Sequence, residues 1–188
     1  MNMTIKPLTA EMANTFTTYL RELSFAHSPD WSTCYCRYYL TDCSKEAWVS
    51  RTGEDNCNEA LQEIRNGSMK GYLAFDGDLC VGWCNANDVE ELKRIKGDLA
   101  EYCKNLKVGC TICYVIRPEY RGMGIARMFL NRAMTDFKEN GYDALIALPF
   151  EDDKAPQKRY RGSDNMYLQA GFKEIDKADS IKVMWYSL

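Results

Sequence analysis

The chain has 188 residues, 46% of them hydrophobic and 12% aromatic, which fits one domain around one sizeable core and excludes a disordered chain. A formal charge of -3 excludes a general binder of nucleic acid or anionic membrane, either of which needs a basic patch. There is no apolar run of membrane-spanning length and no signal-peptide core in MNMTIKPL, so a cytoplasmic location with no membrane and no nucleic-acid partner is expected.

Taken in order, residues 3–7 read as a short first strand. Thr9 is placed to cap a helix over 10–25 whose apolar face is Met12, Phe16, Leu20 and Leu23. The turn His27-Ser28-Pro29-Asp30 breaks it. Residues 31–40, WSTCYCRYYL, are irregular, aromatic and thiol-rich. Cys34, Tyr35, Cys36 and Cys84 are candidate substrate-side residues, and Trp31, Tyr35, Tyr38 and Tyr39 read either as ordinary core and interface packing or as an aromatic substrate wall. A helix starts near Ser44, and another over 58–65 stops at Asn66-Gly67. Two strands joined by Asp76-Gly77-Asp78 form a hairpin over 71–85. Residues 88–104 are polar and helix-prone, and their charges read as a solvated face.

Nine cysteines and a single histidine, His27, suggest free thiols in a reducing compartment. Cys110 and Cys113 have metal-clamp spacing, but strict strand alternation would send them to opposite faces, so no metal site is expected.

The most informative stretch is 113–129, CYVIRPEYRGMGIARMF. A strand stops at Arg117-Pro118, because proline has no N–H for a ladder and biases the residue before it towards extended backbone. Gly122 and Gly124 follow, then a helix with Ile125, Met128, Phe129, Ala133 and Phe137 at helical spacing, stopped by Asn140-Gly141. The unpaired N–H groups of a helix start, with glycines before them, make an anion cradle. A short strand over 144–148 comes next, parallel to the strand before the helix. A polar loop over 149–161 leads to a short helix capped by Ser163, which ends at Ala170-Gly171, and two antiparallel strands close the chain.

The segment Arg121-Gly122-Met123-Gly124-Ile125-Ala126 resembles the coenzyme A motif of the GCN5-related N-acetyltransferase (GNAT) superfamily, with Arg121, Gly124 and Ala126 on its fixed positions. Val115-Ile116-Arg117-Pro118 resembles that family's fourth strand. MYLQAGF resembles its second signature, with Tyr167 on the tyrosine four residues before Gly171. The segments CYCRYYL, GWC and YRGS look like a bacterial subgroup with mostly unassigned substrates. The resemblance implies a single GNAT domain over 1–188, α/β (α+β) in class. Its mixed, mostly antiparallel sheet would have about six or seven strands, with strands 4 and 5 a splayed parallel pair, flanked by helices.

It also implies acetyl-CoA as cosubstrate and transfer of its acetyl group to an amine by direct attack in a ternary complex. Backbone groups of Val115 and Arg117 would bond the pantetheine. N–H groups from Gly122 through Met123, Gly124, Ile125 and Ala126 to Arg127 would hold the pyrophosphate, with charge from Arg121 and Arg127. A backbone N–H near Tyr114 or Val115, beside Ile116, would meet the thioester oxygen. Tyr167 is the catalytic candidate, as acid for the leaving thiolate. The general base stays open. The acceptor is expected to be a small-molecule amine before a protein amine, with Glu151-Asp152-Asp153 a possible draw for a cationic one. The alternative is a coenzyme A-binding sensor or partner module without turnover. Another phosphate ligand is disfavoured because no Walker lysine follows Gly124. Edge strands at the C-terminus are compatible with a homodimer.

Overall fold

A computed structural model describes residues 2–26, 28–151 and 156–188, with the side chains of 156 and 157 outside the description. His27, Asp152 and Asp153 lie outside the described residues. Seven strands form one sheet in the order β1-β2-β3-β4-β5-β7-β6. They are β1 (Met3–Pro7), β2 (Gly71–Asp76), β3 (Leu79–Asp88), β4 (Val108–Ile116), β5 (Ala144–Ala147), β6 (Lys173–Ala178) and β7 (Ile181–Ser187). Only β4 and β5 pair in parallel. This is the mixed sheet with a parallel central pair that the sequence leads one to expect.

The helices are α1 (Ala13–Glu22), α2 (Lys45–Val49), α3 (Gly53–Asn66), α4 (Lys96–Leu99), α5 (Ile125–Glu139) and α6 (Asp164–Gln169). One core cluster joins α1, α3 and the 31–40 segment to one face of the sheet, through Phe16, Tyr19, Tyr39, Ile64, Trp83 and Ile112. The other joins α5 and α6 to the opposite face, through Tyr114, Ile125, Phe129, Ala133, Tyr167 and Met184. These are the α1/α3 face and the α5/α6 face below.

Several local expectations change. Thr9 makes no capping bond, and a 3-10 turn over Ala10–Met12 precedes α1, which ends at Glu22, before Phe25. Helix α3 begins earlier than expected because Thr52 and Asp55 form a reciprocal capping box. Residues 88–104 form only a 3-10 turn over Val89–Glu91 and the single turn of α4. They are more than a solvated face, because Val89, Leu92 and Leu99 are buried in the α1/α3 core. Arg94 also stacks 4.3 Å over Tyr38 and donates to the carbonyls of Tyr38 and Cys43. Residues 88–104 are packed onto the 31–40 segment.

Strand β4 carries the feature that sequence alternation missed. Asn85 pairs with Cys113 and Ala86 with Thr111, so Ile112 is an extra residue, a β-bulge. The bulge resets the alternation. Cys110, Ile112 and Cys113 all pack in the α1/α3 core, so Cys110 and Cys113 do not point to opposite faces. No group of three or more metal-ligating side chains exists among the described residues.

Candidate active site

The site grows from the point where two strands part. β4 pairs with β5 only over Val108 to Thr111, and β5 stops at Ala147. β4 runs on to Ile116, so beyond the bulge its β5-side edge has no strand partner among the described residues. Alternation fixes which groups that edge presents. The Arg117 N–H donates to the Val81 carbonyl at 3.0 Å, so Arg117, Val115 and Cys113 turn their backbone groups towards β3. Tyr114 and Ile116 turn theirs to the open edge.

This corrects the expected pantetheine contacts. The Arg117 N–H is taken by β3, and its guanidinium donates to Cys80 O and pairs with Glu22 at 2.8 Å. The Val115 carbonyl accepts from the Tyr19 hydroxyl at 2.9 Å. The edge donors are Tyr114 and Ile116.

Past Pro118 the chain makes a 3-10 turn and enters α5. Gly122 and Gly124 sit at φ +77 and +81, the left-handed region that favours glycine. A Cβ at either would meet nothing within 4 Å, so the space before the turn is open. The first helical bond runs from Met128 N–H to Gly124 O, which leaves the N–H groups of Ile125, Ala126 and Arg127 without intrahelical acceptors. The Ile125 side chain is buried in the core, so Ile125 can offer only its backbone, while Met123 is exposed. Arg121 reaches back to Ile116 O, and Arg127 donates to Gln169 of α6. A 15-residue helix thus aims its positive end at an open, cation-flanked cradle.

Tyr167 is fully buried at the far end of the same edge. Ser163 caps α6 by accepting from Met166 N–H and so sets the helix that carries it. The Tyr167 hydroxyl donates to Arg161 O at 2.7 Å and lies 3.3 Å from the Tyr114 oxygen. A carbonyl only accepts, so the Tyr167 proton points to Arg161 and its oxygen is left to accept from Tyr114. Burial pushes the Tyr167 phenol above its ordinary range, and Tyr114 is raised for the same reason. Gly162, at φ +79, lies against this tyrosine, since a Cβ there would come within 3.0 Å of the Tyr167 oxygen. Gly162, Arg161 and the bulge at Ile112 went unread in the sequence. The only signal for the first two was their place in YRGS.

The four acceptor-side residues divide. Tyr35 and Cys36 hold adjacent left-handed backbones, at φ +43 and +54. Cys36 accepts from the Trp83 indole N–H at 3.0 Å and packs on the α1/α3 face. Cys84 packs on the opposite face with Tyr114 and Phe129, so Cys36 and Cys84 do not converge. The reason is the unbroken register around Trp83 and Cys84, which sends these neighbours to opposite faces. Burial holds the Cys34 thiol up to about 12. A hydrogen bond to Cys113, and then burial, keep Cys36 well above the usual range. These thiols stay protonated at neutral pH, which argues against a covalent acyl-cysteine route.

A cavity of about 640 Å3 is lined by Pro7, Lys70, Gly71, Lys107, Asp136 and Tyr142, at the opposite end of the sheet from the glycine turn.

The family model described as acetyltransferase (GNAT) family matches residues 21–172. No curated protein matches the sequence. Solved structures with the same fold include a GNAT-family acetyltransferase from Streptococcus pneumoniae, at 14% identity and TM-score 0.57, covering 100% of both chains. The PaiA N-acetyltransferase of Thermoplasma acidophilum, solved in complex with coenzyme A, aligns at 19% identity and TM-score 0.57 over 100% of both. A Drosophila melanogaster polyamine N-acetyltransferase, which forms N-acetylagmatine, aligns at 10% identity and TM-score 0.58 over 100% of both. At these identities the structural likeness carries the fold alone.

Proposed function

The chain belongs to the acetyltransferase (GNAT) family and is an acetyl-coenzyme A-dependent acyltransferase; from that premise we propose that it acetylates the amine of a small molecule by direct attack in a ternary complex. The observation that carries this is one continuous edge. The open side of β4 leads from the glycine cradle at one end to Tyr167 at the other.

In this reading the pyrophosphate lies on the N–H groups from Gly122 to Arg127, with Arg121 and Arg127 flanking it. The pantetheine takes the place of the missing strand along Tyr114 and Ile116. The Tyr114 N–H faces the thioester oxygen and stabilises the oxyanion as the amine nitrogen attacks the carbonyl carbon. Collapse breaks the carbon–sulfur bond and expels the thiolate. Tyr167 supplies the proton, once its hydroxyl turns from Arg161 O to the sulfur, and regains one from solvent as the products leave. The attacking nitrogen loses its proton to solvent, and an amide and free coenzyme A leave. Most of the rate comes from holding two reactants together and from the oxyanion donor, so few side chains are needed. Homodimer formation would use the fully exposed edge strand β6.

The test is thermal shift with acetyl-CoA, CoA and ATP, followed by thiol release across an amine panel. Stabilisation by both coenzyme A forms and not by ATP is expected. Stabilisation by ATP alone, or by none of the three, overturns the cofactor site. Stabilisation without thiol release on any amine would replace turnover with coenzyme A sensing.

A further inference from the structure

Two arginines are buried in this molecule, and they are treated differently. Arg37, 6% exposed, forms ion pairs with Glu59 and Glu63 of α3. Arg161, 8% exposed, has no carboxylate partner among the described residues. Its Nε donates to the Tyr160 hydroxyl at 3.1 Å, Nη1 to Leu148 O at 3.3 Å and Nη2 to the Tyr39 hydroxyl at 2.7 Å. The face of the guanidinium lies 4.6 Å from the Phe150 ring. Every one of these partners is neutral. Burial raises the Tyr39 and Tyr160 phenols, so neither becomes a counter-charge at neutral pH. A guanidinium has five N–H donors, and three are used. One N–H remains on each terminal nitrogen, the arrangement that a carboxylate accepts in bidentate fashion. A buried cation held only by neutral groups is costly unless an anion completes it.

Its position says whose anion. Leu148 directly follows β5, where β4 and β5 part, and Tyr39 belongs to the thiol-rich wall on the α1/α3 face. The carbonyl of Arg161 holds the Tyr167 hydroxyl, so the residue borders the reacting centre. The pyrophosphate cradle is too far to be its partner, since Arg161 acts electrostatically on Cys110, and Cys110 to Ile116 spans about 20 Å of strand. A second unpartnered group lies beside Cys113, which acts electrostatically on both Tyr39 and Tyr160. Asn85 is fully buried, neither end of its amide has a hydrogen-bond partner, and it pairs across the ladder with Cys113, on the Trp83 face. An uncompensated cation and an unsatisfied amide on one face of the bulge describe a polar site, not a dry core.

Resting on the acetyltransferase reading above, we infer that Arg161 binds a carboxylate of the acceptor, so the substrate is an amine that carries its own acid. This departs from the cationic acceptor that Glu151 and its neighbours suggested, and from the polyamine acceptor of the Drosophila relative. Arg161 selects and orients the acceptor, and Asn85 offers a donor and an acceptor to its polar middle.

The experiment compares matched amines on the wild-type protein at saturating acetyl-CoA: an amino acid, its carboxamide and its decarboxylated amine. The amino acid should have a KM lower by about tenfold or more than either partner. Arg161→Met should raise KM for the amino acid by about tenfold more than for the carboxamide, so that the preference between them is lost, and Arg161→Lys should restore part of the preference. If these variants fail to fold, the wild-type panel decides by itself. Equal or better turnover of the carboxamide or of the uncharged-tail amine overturns the inference while leaving the acetyltransferase intact. A preference for succinyl-CoA over acetyl-CoA with a neutral amine overturns it too, by moving the carboxylate to the acyl chain. Where no amine turns over, calorimetric titration of amino acids into the protein with coenzyme A bound decides, and no binding overturns it. Failure of acetyl-CoA to stabilise the chain would instead strike the underlying reading.

Discussion

Tyr167 is held by a carbonyl that cannot release it by deprotonation, and this defines its behaviour. Its raised pKa keeps the proton on the phenol beyond the ordinary value of about 10. If Tyr167 is the acid, the rate should climb with pH as the acceptor amine deprotonates, and no downturn from this residue should appear below about pH 10. A descending limb near pH 8 that vanishes in Tyr167→Phe would contradict that. Tyr167→Phe itself should lower kcat by about 10²-fold with little change in acetyl-CoA affinity. It should also cost about 1–2 kcal/mol of stability, because the Arg161 carbonyl loses its donor. Gly162→Ala probes the same hydroxyl from behind. The new methyl would stand in a left-handed backbone, 2.8 Å from Met166 Cε and 3.0 Å from the Tyr167 oxygen. The strain is about 1–2 kcal/mol, and the tyrosine has to shift. We expect a lower melting temperature and a lower kcat with coenzyme A affinity unchanged. An unaltered kcat would mean that the placement of Tyr167 is not rate-setting.

At the scale of elements, the strand–turn–helix unit was legible because each part has its own local cause. Pro118 stops β4, two left-handed glycines turn the chain, and an apolar stripe buries α5. Gly124→Val tests the unit as a whole. Valine at φ +81 costs about 1–2 kcal/mol or more, but its Cβ meets no atom within 4 Å, so the protein should fold with a lowered melting temperature. Its side chain would occupy the open space before the helix start, and the stabilisation by acetyl-CoA should disappear. A variant that keeps the full ligand shift would place the phosphates elsewhere. The bulge in β4 was not legible, because nothing in the types of Thr111, Ile112 and Cys113 marks an extra residue. Period-two reasoning therefore misassigned the faces of Cys110 and Cys113. Likewise, residues 88–104 looked like a polar helix, and their order comes instead from long-range burial of Val89, Leu92 and Leu99. Arg161 could not be picked out of a basic loop until its partners were known to be neutral.

For the whole molecule, the nine cysteines follow one rule: all are free, and several are sealed in the two cores that sandwich the sheet. Composition suggested free thiols, but only the packing shows what they do to stability. Burial pushes Cys110 up to about 12 and Cys84 well above the usual range, and Cys36 is raised by its bond to Cys113 and then by burial. In the unfolded chain each returns to an ordinary thiol value of about 8.5. The folded state therefore holds protons that the unfolded state gives up. The stabilisation is fully present below about pH 8.5 and is lost as pH rises from there towards the folded values. Each such thiol should subtract about 1.4 kcal/mol per pH unit in that window. Tyrosines buried in the same cores add to the loss at higher pH, so the total slope alone is not diagnostic. Urea denaturation at pH 7.5, 9 and 10 on the wild type and on Cys110→Ala separates the contributions. The variant should be less stable at pH 7.5, because a fully buried side chain is truncated, but its stability should fall less steeply with pH by about one thiol's worth. Parallel curves would show that Cys110 reaches solvent and ionises without unfolding. That would require a β4–β5 cleft wide enough to admit water to the α1/α3 face, a route the acceptor could share.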